Sequence, residues 1–283
     1  MSQINVMQLK SKLKRIATEL SATPQSINTL YAIEIFLRRL EMSAYRENFI
    51  LKGGLLVTAK LGFKNRTTKD IDATLCYKKL DNDSIKKIIQ EIAQIDLDDG
   101  FRFEINDIEV IREKNQYSGT RIHLEAHCQT LIIPFAMDIT FGEKITPHEI
   151  EMSFPSLFGN TTTLLKSYNL ETLLAEKLNA ILVLGVANTR MKDFFDIHSI
   201  WHKFAKEIDN KILNRAITET ANFRGNLTVL KDAPEILQSI KNSEVLADYW
   251  HRYQKTLPEA SRYSFAEVCE TVDIIIRKIS LDT

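Results

Sequence analysis

Only three cysteines occur in the 283-residue chain, Cys76, Cys128 and Cys269, widely spaced and without a CxxC pair. The odd number, the wide spacing and the missing CxxC pair fit reduced, mostly buried thiols rather than disulfides or a zinc site. Charge of one sign is equally lacking, since 37 basic residues balance 37 acidic ones. No global field points to nucleic acid or a membrane, so electrostatic recognition must come from local patches. Long hydrophobic runs are missing too. The longest clean one, "AILVLGVA" at 180–187, is far too short to cross a bilayer, and the opening "MSQINVMQLKSKLK" lacks the apolar core of a signal peptide. The expectation is a cytoplasmic protein. No internal repeat, low-complexity tract or long linker is present, and no Ser/His/Asp or Cys/His arrangement can be argued from order alone.

What is present is an ordinary globular composition, 44% hydrophobic and 26% charged, long enough for one large domain or two modest ones. Met7, Leu9, Leu13, Ile16 and Leu20 recur at near-helical spacing, and Thr23-Pro24 gives a cap and first-turn signal for a second helix through "INTLYAIEIFLRRL". The middle changes character. "IDATLCY" and "FRFEINDIEVIRE" have strand patterning, with a helix expected between them in "NDSIKKIIQEIAQI". In "RIHLEAHC", Ile122, Leu124, Ala126 and Cys128 alternate with a polar face of Arg121, His123, Glu125 and His127. "TLIIPFAMDITFGE" is continuously apolar up to Asp138, as a strand buried on both faces would be, and Pro134 suggests an edge or a bulge. After about residue 160 the alternation stops, and four segments with helical periodicity follow, ending in "SFAEVCETVDIIIRKI". The expectation is an α/β domain over 1–160 and a helical domain over 161–283.

The stretch "KNRTTKDIDA" carries the first chemical signal. In a strand, Asp70 and Asp72 leave the same face, and at about 6 Å and an effective dielectric near 20 their repulsion is roughly 3 kcal/mol. A hard divalent cation offsets that repulsion, whereas the bland reading is two solvated carboxylates at a strand start. Asp138 ends an apolar strand, where a charge is costly unless solvated, paired or metal-bound. If that strand pairs beside "DIDATL", three carboxylates meet at one sheet edge. Upstream, Gly53-Gly54 precedes the candidate helix "LLVTAKLG" and would let backbone N–H groups approach a phosphate. A local basic cluster, Lys52, Lys60, Lys64, Arg66 and Lys69, surrounds both motifs.

In the helical part, Lys177 lies on an apolar stripe and Asp193 and Asp196 share a helix face. Two readings stay open: a buried salt bridge joining two helices, or a lysine on a nucleotide phosphate with the aspartates orienting it. His198 and His202 have the i,i+4 spacing that suits a metal, but no third ligand accompanies them, so all six histidines are read as structural or solvated. "YWHRYQ" at 249–254 is read as helix-core packing over base stacking.

Taken together, "LKGG" at 51–54, "RTTKDID" at 66–72, "AEKLNA" at 175–180 and "RMKDFFDI" at 190–197 resemble the AbiEii toxins of bacterial abortive-infection and type IV toxin–antitoxin systems. The resemblance covers roughly residues 45 to 200. It implies an α+β fold, with a polymerase-β-like nucleotidyltransferase domain, a mixed sheet flanked by helices, followed by an all-α domain that contributes to the active site. It further implies that Gly53 and Gly54 hold a nucleoside triphosphate, aided by Lys52, Arg66 and Lys69. Asp70 and Asp72 would bind the catalytic metals, Asp138 would be the third carboxylate, and Lys177, Asp193 and Asp196 would complete the site. The cofactors implied are two Mg²⁺ ions, with an NTP as substrate. The acceptor in similar toxins is RNA, the tRNA 3′ end, and the implied partner is a winged-helix antitoxin. Gly53-Gly54 departs from the wider superfamily, which more often has Gly-Ser there, so a serine hydroxyl contact to phosphate is missing. Two other classes remain: transfer to a protein or small-molecule hydroxyl, and a non-catalytic binding protein of the same fold.

Overall fold

A computed structural model describes residues 5–76, 80–112, 118–159 and 161–279. Tyr77 and Glu113, at the ends of two expected strands, lie outside the described residues. The chain divides into two compact units, Met1–Glu143 with Ile150–Ser167, and Lys144–Glu149 with Tyr168–Thr283.

The first unit is a mixed seven-stranded sheet flanked by helices. Its strands are β1 (Phe49–Leu51), β2 (Asp70–Leu75), β3 (Arg102–Arg112), β4 (Ser118–Cys128), β5 (Leu131–Phe141), β6 (Ile150–Pro155) and β7 (Thr162–Ser167), in the order β3-β4-β5-β2-β1-β7-β6. The β5–β2 and β1–β7 pairs are parallel and the others antiparallel. Because side chains alternate, Ile71, Ile122, Met137 and Ile139 face a core in which they are fully buried, while Asp70, Asp72, Arg121 and Asp138 share the other face.

Helix α1 (Val6–Glu19) buries Val6, Leu9, Leu13 and Ile16, but Met7 is turned out to solvent. Helix α2 (Pro24–Met42) starts where Thr23 accepts from Ser26 N–H and proline takes a position that needs no donor. It contributes Phe36, which meets Phe103 and Phe135 at centroid distances of 5.4 and 5.7 Å. Its buried Arg39 makes a bidentate pair with Asp99 at 2.7 Å and donates to the Phe101 carbonyl, so the buried charge is compensated. Helix α3 (Gly53–Leu61) links β1 to the basic turn before β2, and α4 (Asn82–Ala93) buries Ile85, Ile89 and Ile92.

Two expectations change here. Strand β5 is not buried on both faces along its length: Ile132 is 54% exposed and Pro134 is exposed. β2 pairs only from Ala136 onward, so among the described residues no strand pairs with 131–135 on that side, where Thr29 Oγ1 donates to the Pro134 carbonyl at 3.4 Å and a proline is tolerated. The sheet also runs past residue 160, because β7 adds a strand parallel to β1 at Leu51↔Ser167.

The second unit is helical: α5 (Leu170–Leu184), α6 (Met191–Phe204), α7 (Asn210–Phe223), α8 (Ala233–Lys241), α9 (Glu244–Thr256) and α10 (Phe265–Ile276). Asn169 caps α5 by accepting from Thr172 N–H, and its amide donates to the carbonyls of Thr146 and His148. A reciprocal capping box between Ser264 and Glu267 starts α10. Phe194 meets Phe265 at 5.6 Å, and Trp250 donates to the Tyr263 carbonyl at 3.0 Å. "YWHRYQ" therefore contributes core packing. Among the described residues no helix is long and apolar enough to cross a membrane.

Candidate active site

The turn from β1 into α3 determines the site's geometry. Lys52 N–H donates to the Asp72 carbonyl at 2.9 Å, which ties the start of α3 to β2. Gly53 follows with φ +58°, and a Cβ on it would stand 2.1 Å from Asp72 Oδ2. Glycine is thus required twice, for the left-handed backbone and for the approach of the carboxylate. Asp72 Oδ2 then accepts from Gly54 N–H at 3.0 Å, so a carboxylate lies at the positive end of α3. At Gly54 the neighbours are Thr68 Oγ1, 2.9 Å from where a Cβ would be, and Arg66 Nη2 at 3.6 Å. A hydroxyl and a guanidinium therefore flank the glycine that stands where the superfamily more often has serine.

Gly53→Ala tests this double requirement. The positive φ alone costs about 1–2 kcal/mol, and Asp72 must move as well. Gly225→Ala is the control, because φ there is +67° with nothing within 4 Å of the added carbon. Thermal denaturation is expected to show the larger loss for Gly53→Ala; equal losses would mean that the approach of Asp72 does not matter.

Parallel pairing places Asp72 directly beside Asp138, with Asp70 beside Ala136. The expected neighbourhood of β2 and β5 is present, but Asp138 is not an open ligand. On the other side β4 places Arg121 opposite Asp138, and the guanidinium covers both carboxylate oxygens, Nε to Oδ1 and Nη2 to Oδ2, each at 2.7 Å. Hydrogen bonding to Asp138, reinforced by the charges of Asp138, Asp70 and Glu109, outweighs burial and raises the Arg121 pKa further. Among the described residues, no group of three or more His, Cys, Asp or Glu side chains is arranged to hold a metal ion. The donor chemistry of Asp70 and Asp72, hard oxygens on one strand face, fits a hard divalent cation; Asp138, as held by Arg121, does not.

The basic residues separate into different environments. Lys52 is buried in an ion pair with Glu143. Arg66 is half-buried and donates to the Thr67 carbonyl. Lys64 and Lys69 are exposed on the turn into β2.

In the second unit, Lys177 on α5 donates to Asp193 Oδ1 at 3.0 Å and Asp196 Oδ2 at 2.7 Å on α6. Arg190 reaches Asp193 Oδ2 at 2.7 Å. Both carboxylates are fully buried. Burial pushes the Asp193 carboxyl upward, but Lys177 and Arg190 more than offset it and hold its pKa below the usual range. His198 donates to or accepts from Thr271 Oγ1 at 2.8 Å, and burial, then neighbouring His202, pushes its pKa down to about 4.

Sequence patterning assigned no role to Arg121, placing it only on a polar strand face, and it passed over Glu143. The register that runs from Cys128↔Leu131 to Arg121↔Asp138 places Arg121, and Gln129-Thr130 carries no hairpin-turn signal that would fix this register in advance. Glu143 follows the end of β5, and no periodicity signals its pairing with Lys52.

A glycine-led helix N-terminus beside two aspartates of an adjacent strand, in a mixed sheet followed by helices, defines the nucleotidyltransferase class of α+β proteins. The family model described as nucleotidyl transferase AbiEii toxin, type IV TA system, matches residues 35–271. The chain belongs to that family, and the match contains all four motifs. Among solved structures, a candidate nucleotidyltransferase from H. pylori is 15% identical with a TM-score of 0.48, covering 91% of this chain and 97% of that one. JHP933 from Helicobacter pylori is 14% identical with a TM-score of 0.49, covering 91% and 94%. No curated protein matches.

Proposed function

We propose that this family member is an Mg²⁺-dependent toxin that transfers a nucleotide from an NTP to an RNA 3′ end, that of tRNA, and so blocks translation and growth. The observation that carries this reading is the meeting of Asp72 with the first turn of α3, which unites the "LKGG" and "KDID" motifs in one place. Asp70 and Asp72 would hold Mg²⁺, which when bound supplies positive charge to the triphosphate and to the attacking oxygen.

The chain's own residues have narrower tasks. Backbone N–H groups at the start of α3 orient the triphosphate, with the Thr68 hydroxyl and Arg66 alongside Gly54. The acceptor 3′ hydroxyl releases its proton to water as its oxygen bonds to the α-phosphorus, while the bond to the pyrophosphate oxygen breaks and pyrophosphate leaves. Exposed Lys64 and Lys69 provide local positive charge for an RNA backbone beside the site, in a chain whose net charge is zero. Lys52, neutralised by Glu143, is better suited to fixing the start of α3 than to binding phosphate. For Lys177, Asp193 and Asp196 the proposed contribution is electrostatic, tested below through stability. The partner of such a toxin is an antitoxin, proposed to be a winged-helix DNA-binding protein.

The deciding experiment incubates the protein with each labelled NTP and either total tRNA or RNA-free cell extract. Label is expected on tRNA 3′ ends, as read by sequencing. Label found only on protein or small molecules would replace the acceptor, and no transfer to any acceptor would favour the non-catalytic alternative.

A further inference from the structure

The carboxylate cluster contains its own cation. Both Asp138 oxygens already accept from the planar guanidinium of Arg121 in fork geometry, with side-chain exposures of 36% for Arg121 and 19% for Asp138. Such a bidentate pair is stronger and more directional than an exposed lysine–carboxylate contact. The β4–β5 hairpin has no need of it as a clip, because the ladder runs unbroken from Thr120↔Ile139 to Cys128↔Leu131. The charge is also placed where it matters, since Asp138 is the direct cross-strand neighbour of Asp72.

We propose that Arg121 is a positioning residue that competes with a divalent cation for Asp138 and thereby sets the metal affinity of the Asp70–Asp72 pair. The inference rests on the functional reading above. A cation bound at Asp70 and Asp72 gains a third carboxylate only when the guanidinium releases it, and until then it meets a nearby positive charge. Removing that charge should therefore tighten metal binding, the opposite of what loss of an ordinary structural contact would do.

The test is Mn²⁺ binding to the full chain, followed by the electron paramagnetic resonance signal of the free ion. Arg121→Met, similar in reach but uncharged, is expected to bind Mn²⁺ about tenfold more tightly than the wild type. Arg121→Lys, one donor group without the fork, should lie between them, at about threefold. Adding Asp138→Asn to Arg121→Met should abolish the gain, because the gain is routed through that carboxylate. A folded Arg121→Met protein with unchanged or weaker Mn²⁺ affinity overturns the proposal, as does a gain that survives Asp138→Asn. Should Arg121→Met fail to fold, Arg121→Lys decides by the same criterion. Asp72→Asn separates this failure from failure of the metal reading itself. If that variant binds Mn²⁺ as the wild type does, the metal assignment falls; if only the Arg121 variants are silent, the competition alone is wrong.

Discussion

Asp72→Asn is expected to lower nucleotide transfer by about 10³-fold or more, a loss of the size seen when a group stabilising transition-state charge is removed, while the protein stays folded. Asparagine keeps a side-chain oxygen that can accept from Gly54 N–H, and the backbone bond from Lys52 N–H to the Asp72 carbonyl is untouched. What disappears is one negative charge. Its removal relieves the same-face repulsion with Asp70 and at the same time gives up the attraction of the carboxylate to the positive end of α3. Thermal stability should therefore change little as activity collapses. Parallel measurements of thermal denaturation, labelled-nucleotide transfer and growth inhibition check the three parts. A folded Asp72→Asn protein that still arrests growth rules out a mechanism dependent on this carboxylate.

Local signals located most elements because they were reinforced by packing. Thr23-Pro24 begins α2 as its capping chemistry requires, and the Ile85, Ile89 and Ile92 spacing of α4 coincides with its buried stripe. Strand β7 was invisible for a physical reason. Its buried positions are Thr163, Leu165 and Ser167, so two of the three inward side chains are polar and the period-two pattern does not register as hydrophobic. Met7 misled in the other direction, because a single apolar residue on a surface helix has no obligation to be inside. At the site, the spacing of Asp70 and Asp72 was readable, and so was the cost of a charge at Asp138 that is not solvated, paired or metal-bound. The identity of the group paired with Asp138 was not, because patterning assigns a strand residue to a face and says nothing about which partner the register places across from it. Arg121 became meaningful only once β4, β5 and β2 were aligned.

Lys177→Met is expected to reduce stability by about 3–5 kcal/mol, the cost of leaving a buried charge without its partner. Lys177 serves two carboxylates that are fully buried, at 3.0 and 2.7 Å, and Arg190 stays with Asp193. In the variant both carboxylates lose a cation at close range in a buried setting. The sign with pH follows directly. In the wild type the folded-state pKa of Asp193 is lowered, so its contribution is present above the unfolded value and is lost as pH falls through the folded one. In the variant the carboxylates that have lost Lys177 are penalised only while charged, so the deficit should shrink as pH falls from 7 toward the carboxylate range. Denaturant unfolding of the two proteins across that range measures it. The triple variant Lys177→Met, Asp193→Asn, Asp196→Asn should recover much of the loss, because neutral groups of similar shape have no desolvated charge to leave unpaired. Recovery of folding without recovery of transfer would assign the cluster an electrostatic part in the chemistry. Recovery of both would make it purely a tie between α5 and α6, whereas a single variant as stable as the wild type would contradict the burial of the pair.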